Sequence, residues 1–283
     1  MRQVCWAIAV VVAFSAQPLA QQGGGRQGRG GQPAAPEVPP TPRASAPIDL
    51  TGYWVSIVNE DWRWRMMTPP KGDYASLPLT PQAQKVADSW DYDKERGTDD
   101  ACKPFGVGGL TRMPGRLHIT WQDDVTLKIE FDAGTQTRLL YFDGRAASGP
   151  PTWQGHSQAT WEPAGLGPVD RNGIPAGGGR GGRGGRGRGN VQGGSLKVVT
   201  TNFKAGHLRK NGVPYSDNAS IEEYVDRLTY PNGDVMLLVR TAIQDPMYLT
   251  MPFLTSTNFK REPDGAKWKP TPCTIDPPVV LPK

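Results

Sequence analysis

From Thr51 the chain reads TGYWVSIVNEDWRWRMM, and alternation divides this stretch into two faces. Trp54, Ser56, Val58, Glu60, Trp62, Trp64 and Met66 fall on one face, and Tyr53, Val55, Ile57, Asn59, Asp61, Arg63 and Arg65 on the other. The period of two predicts one long strand whose first face is apolar and aromatic except for Glu60. Thr80-Pro81 then supplies an N-cap followed by Pro at the first helical position, so residues 82–90 read as one short helix. Beyond Cys102 the strand signals come at short intervals, at residues 116–122, 125–132, 137–143, 157–162, 195–203, 221–230 and 235–244, with 255–261 as a further candidate. Asn232-Gly233 between two of these runs is the strongest short-range hairpin signal in the chain. Eight strands, mostly short loops and one helix predict an all-β fold, an antiparallel meander closing into a barrel; a two-sheet β-sandwich is the alternative.

Composition changes the picture at two places. The chain of 283 residues holds 35 Gly and 28 Pro, about twice the usual share. They concentrate in residues 21–47 and 163–194, where Gly, Pro, Arg, Gln and Ala dominate and too little apolar surface exists to offset chain entropy. The expected organisation is a leader at 1–20, a disordered tail at 21–47, a single domain at 48–273 interrupted by a disordered loop at 163–194, and a C-terminal tail at 274–283. The formal charge of +5 is local in the same way, since Arg2 lies in the leader and Arg26, Arg29, Arg180, Arg183, Arg186 and Arg188 lie in Gly-Arg runs. Removing those seven arginines from +5 leaves −2, so the folded body is not basic by composition.

The first twenty residues carry one early positive charge at Arg2, an apolar run from Val4 to Phe14 and small residues at Ala16 and Ala20. This is the layout of a secretory signal peptide, with an uncleaved N-terminal anchor as the alternative, and it predicts a periplasmic or secreted protein. Cys5 leaves with the leader, and Cys102 and Cys273 remain. An even pair in an exported chain predicts a disulfide; two free buried thiols are the alternative.

Gly52-Tyr53-Trp54, a Gly-x-Trp opening the first strand of a β meander, resembles the first motif of lipocalin-like (calycin) barrels. The remainder resembles a family of uncharacterised exported bacterial β proteins. The resemblance rests on Cys102-Lys103-Pro104, on Pro151-Thr152-Trp153-Gln154-Gly155-His156-Ser157, on Trp161-Glu162, on the run from Gly194 to Phe203, and on Asp245-Pro246-Met247-Tyr248 with Pro252. It covers most of residues 48–273 and implies fold and export. It also implies that the Gly-Arg run is an insertion at a hairpin tip, and it supplies no catalytic residues.

The expected function is binding of a small, largely apolar or aromatic molecule inside the barrel. Trp54 plugs one end, Trp62, Trp64 and Met66 form the ligand walls, and Glu60, Arg63, Arg65 and Arg138 are the polar contacts. Glu60 on an apolar face calls for a partner, for which Arg138 is the candidate. His118 and His156 are expected to point into a polar part of the cavity, and His207 to be exposed. No metal or cofactor is expected, because no short His or Cys spacing and no nucleotide fingerprint occurs. The alternative is a cofactor-independent isomerase, cyclase or lyase, in which Glu60, Asp61, Tyr141 or His156 moves a proton and Arg63, Arg65 or Arg138 stabilises negative charge. A second alternative is contact with anionic envelope polymers or nucleic acid through Arg180, Arg183, Arg186 and Arg188, whose spacing resembles RGG boxes.

Overall fold

Nine strands close into a barrel in the computed structural model, which describes residues 39–163 and 193–280. In chain order these are β1 (Gly52–Ile57), β2 (Arg116–Trp121), β3 (Thr126–Phe131), β4 (Gln136–Tyr141), β5 (His156–Pro163), β6 (Gly194–Thr201), β9 (Ser220–Thr229), β10 (Val235–Gln244) and β11 (Phe253–Glu262). Two short strands, β7 (Gly206–Arg209) and β8 (Val213–Tyr215), form a separate ribbon. Around the barrel the order is β1-β11-β10-β9-β6-β5-β4-β3-β2, and β1 pairs with both β11 and β2, so no edge is left. The leader, the tail up to residue 38 and the Gly-Arg run with Arg180, Arg183, Arg186 and Arg188 lie outside the described residues. The strands that flank that run do pair, Glu162 with Ser195 and Pro163 with Gly194, so it connects the two ends of a hairpin.

The barrel is mixed rather than wholly antiparallel. β4 and β5 run parallel, with Leu140 opposite Ser157 and Tyr141 opposite Gln158, and residues 142–155 make the longer connection that a parallel pair needs. The hairpin at Asn232-Gly233 forms as expected: Gly233 has φ 87° and its N–H donates to the Tyr230 carbonyl. The expected helix is present as Pro81–Ser89, with the Thr80 hydroxyl accepting from the Ala83 N–H at 3.2 Å.

The first strand is shorter than its alternation implies. β1 ends at Ile57, Asp61 adopts a left-handed conformation at φ 50°, and Trp62–Arg65 forms a single helical turn, α1. The Arg65 and Met66 N–H groups donate to the carbonyls of Asp61 and Trp62. One left-handed Asp, a residue that tolerates that region, converts a period-two pattern into a turn. The exposures invert accordingly: Arg65 is buried, while Trp62 and Met66 are 61% and 53% exposed.

The core has two parts. Inward-facing Trp54, Leu117, Ile119, Leu127, Ile129, Leu140, Leu196, Val198, Leu237, Val239 and Phe259 fill the barrel. A second cluster joins the helix α2 (Pro81–Ser89), through Ala83 and Ala87, to Leu208, Val213 and Tyr215 of the ribbon and to Ile221, Ile243 and Phe253. Ile221 and Phe253 open β9 and β11, and Ile243 lies near the end of β10, so this layer caps one end of the barrel. Cys102 and Cys273 form a disulfide with Cα atoms 5.0 Å apart across 171 residues of chain. By the chain-entropy relation a loop of that length is worth about 5 kcal/mol.

Candidate functional site

The barrel interior is filled. A cavity within it has a volume of about 30 Å³, room for about one water, and is lined by Ile119, Phe131, Leu140, Val225 and Phe259 together with Arg138 and Glu223. Arg138 and Glu223 are each 3% exposed and form a two-pronged ion pair, with N–O distances of 3.2 and 2.6 Å. Arg138 also donates to Thr200 Oγ1 at 3.2 Å, and Ser157 and Thr200 bond each other at 2.8 Å. Arg138 is therefore inward as expected, but its partner is Glu223 rather than Glu60. Glu223 carried a legible signal, since it shares its strand face with Ile221 and Val225 and interrupts an apolar row.

Glu60 lies outside the barrel wall, where its carboxylate accepts from Ser256 Oγ at 2.7 Å and from Asn258 Nδ2 at 3.2 Å. Asp61 pairs with Arg112 at 2.7 Å, and Arg63 with Asp73. Trp64 packs under the Arg209 guanidinium at 4.3 Å. Trp62 and Met66 project into solvent, because the helical turn rotates them away from β1. His118 also lies on the outer wall, stacked on Tyr53 at 4.0 Å with Nδ1 3.2 Å from Glu130. His156 stacks on Tyr141 at 5.1 Å on the outside of β4 and β5, and its Nε2 is 2.9 Å from the Arg145 carbonyl.

The four acid-base candidates thus fall into two groups. Glu60 and Asp61 sit beside β11, whereas Tyr141 and His156 sit on β4 and β5, across the barrel in strand order. His207 is buried rather than exposed, because the ribbon folds beneath the layer that caps the barrel, and burial beside the Lys103 ammonium pushes its pKa down to about 3. Among the described residues no three His, Cys, Asp or Glu side chains gather as a metal would require.

A cleft of ligand size lies at the disulfide, at residues the strand pattern does not single out. It has a volume of about 410 Å³, within the roughly 300–1,000 Å³ range of small-molecule sites, and Trp90, Tyr92, Pro104, Cys273 and Ile275 supply its apolar walls. Asp91 positions this wall by capping the short helix α3 (Tyr92–Glu95), its carboxylate accepting from the Asp93 N–H at 3.1 Å. Trp90 and Tyr92 then meet edge to face with centroids 6.4 Å apart. The Trp90 indole N–H donates to Glu95 Oε2 at 2.9 Å, the other Glu95 oxygen takes Lys103 Nζ at 2.9 Å, and Tyr92 OH donates to the Ile275 carbonyl at 3.3 Å. The two acidic partners, Glu95 and Asp100, hold the Lys103 ammonium pKa up against the opposing effect of burial. Gly212, at φ 80°, backs the Trp90 ring so closely that a Cβ there would stand 2.1 Å from it. Asp93 and Arg96 form a polar rim, with the Arg96 guanidinium 5.7 Å from the Tyr92 ring. The disulfide joins the two sides, one from residues 90–104 and the other from residues 273–275.

Comparison of the chain with family models, with curated proteins and with solved structures returns no match.

Proposed function

We propose that this chain is an exported, lipocalin-like barrel protein that binds a small, largely apolar or aromatic molecule, and that the ligand seat is the cleft between Trp90, Tyr92 and Ile275 rather than the barrel interior. The cleft carries the reading: it is the described space that combines ligand-sized volume, two aromatic rings and a few convergent polar groups. The filled barrel acts as the rigid scaffold on which the cleft is built. Export is supported by the leader-like first twenty residues and by the disulfide, which persists in oxidising compartments.

Equilibrium dialysis of the oxidised protein against indole, naphthalene and decanol, read by mass spectrometry, tests the seat. At least one compound should be retained, and Tyr92→Ala should weaken it by about tenfold, the scale of one aromatic contact, without lowering the unfolding midpoint much. Trp62→Ala should leave binding unchanged. Reduction of the disulfide should weaken binding further, because it frees the wall formed by Cys273 and Ile275. Retention lost in Trp62→Ala and kept in Tyr92→Ala would reject this seat, and retention of none of the three compounds would reject the binding reading.

A further inference from the structure

At the capped end of the barrel three arginines are buried together. Arg65 from α1, Arg112 from the 3-10 turn Leu110–Arg112 and Arg209 from β7 are 2%, 6% and 4% exposed. Long cationic side chains reach such burial only when paired, so the accounting of partners decides what the cluster is.

Arg65 donates through Nε to the Arg112 carbonyl at 3.0 Å and through Nη2 to Ser56 Oγ at 3.4 Å. Arg112 donates through Nη2 to Asp61 at 2.7 Å. Arg209 has no acceptor at all: its Nε, Nη1 and Nη2 are buried without a partner, and its guanidinium carbon lies 4.3 Å from the centre of the Trp64 ring. Arg65 Nη1, Arg112 Nη1 and the Trp64 indole N–H are likewise buried without partners. The nearby carboxylates are already engaged, Asp61 by Arg112, Asp73 by Arg63, and Glu60 by Ser256 and Asn258. Neither Arg65 nor Arg209 therefore has an ion-pair partner of its own, although Asp61 lies near both, Glu60 near Arg65 and Asp73 near Arg209. Burial and repulsion from Arg112 push both guanidinium pKa values down to about 10, which still leaves them charged at neutral pH.

Arg65, Arg112, Arg209 and Trp64 line one small cavity of about 10 Å³, whose wall Lys210 also joins. That is space for about one water-sized atom. Six unpartnered donor nitrogens, two guanidinium groups without an ion-pair partner and a small gap between them have one chemical complement. We propose that this end of the barrel binds a small inorganic anion, seated among Arg65, Arg112, Arg209 and the Trp64 indole N–H: a halide, or an oxyanion entering by one oxygen. The anion supplies the acceptor and the charge that the protein omits, and in doing so locks α1, the 109–113 turn and the ribbon against the barrel end. The site is separate from the aromatic cleft and does not depend on the reading of that cleft.

The test is thermal unfolding of the oxidised protein at constant ionic strength, with gluconate, too large for the cavity, replaced stepwise by chloride, nitrate or phosphate. The unfolding temperature should rise saturably with at least one of the three, as expected of a ligand that binds only the folded state. The three arms separate a halide seat from an oxyanion seat. Arg209→Met keeps an apolar side chain over Trp64 and removes the unpaired charge, so it should abolish the saturable response while being no less stable than the parent in gluconate. Trp64→Phe keeps the ring and deletes one donor, and should shift the half-saturating concentration upward several-fold. Line broadening in chloride NMR on the parent protein gives a readout that requires no variant to fold. Equal responses in the parent and Arg209→Met, or no saturable response together with no chloride broadening in the parent, would overturn the proposal.

Discussion

Replacing Glu223 by Gln would show whether Arg138 is a strut or a ligand contact. The two side chains are each 3% exposed, meet through two N–O contacts of 3.2 and 2.6 Å, and sit among Ile119, Leu140, Val225 and Phe259. Glu223→Gln leaves the guanidinium charge in place with only an amide, the Thr200 hydroxyl and a distant Ser157 to solvate it. An uncompensated charge of this kind costs about 3–5 kcal/mol, a large fraction of the roughly 5–15 kcal/mol that holds a domain together. With a urea dependence of about 2–3 kcal/mol per molar, the midpoint of denaturation should fall by about 1–2 M. Arg138→Met combined with Glu223→Leu removes both charges and both desolvation costs, and should return the midpoint to within about 0.5 M of the parent. The cycle formed by the parent, Arg138→Met, Glu223→Leu and the double variant therefore gives a large coupling. A Glu223→Gln midpoint within about 0.3 M of the parent would refute this reasoning. It would mean that water reaches the pair and that the barrel is open in solution.

Two further outcomes follow from burial and from register. His207 is neutral when folded, with its pKa pushed down to about 3, and Glu95, 3.7 Å from its Nε2, is already committed to Lys103 and Trp90. The unfolded chain takes up that proton near pH 6.5 and the folded chain does not, so stability is full above about pH 6.5 and falls as the pH drops towards 3. The slope attributable to His207 approaches about 1.4 kcal/mol per pH unit, and His207→Gln should remove it between pH 6 and 5; parallel urea midpoints for the two proteins over that interval would contradict the assignment. Replacing residues 164–193 by Asn-Gly joins Pro163 to Gly194, which already pair, through a two-residue turn. The barrel should survive with its far-UV signal unchanged and gain about 2 kcal/mol from the shorter loop, and any affinity for anionic polymers through Arg180, Arg183, Arg186 and Arg188 should be lost. Loss of cooperative unfolding in that variant would show that the insertion is part of the fold.

The barrel was legible because each strand buries one face, and such a strand must alternate. Ile221, Glu223 and Val225 on β9, or Leu237, Val239 and Thr241 on β10, can be read two residues at a time without knowing what they pack against. The same rule misread Trp62 to Met66. Within four or five residues a period of two and a helical turn place side chains too similarly to be told apart, and the deciding event was one backbone angle at Asp61. The parallel junction of β4 and β5 was hidden for another reason: residues 142–155 contain turn residues compatible with either direction, and only closure of the cylinder selects one.

The candidate site residues were the least legible because no single segment contains a site. Arg65, Arg112 and Arg209 stand far apart in the chain, and each, taken alone, reads as an exposed cation because Arg is rarely buried. Their burial results from α1 and the ribbon closing over one end of the barrel. The Trp90 cleft has the same origin, since Tyr92 lies in a helix of four residues and Ile275 in a segment without strand or helix, and the disulfide brings them together. A local pattern reports only whether a face is covered, and which unlike charges or rings share that cover is decided by chain closure. This is why Arg209 and one nitrogen each of Arg65 and Arg112 lack acceptors while every neighbouring carboxylate is engaged: the covering segments supply more donors than acceptors, and the imbalance exists only once they meet.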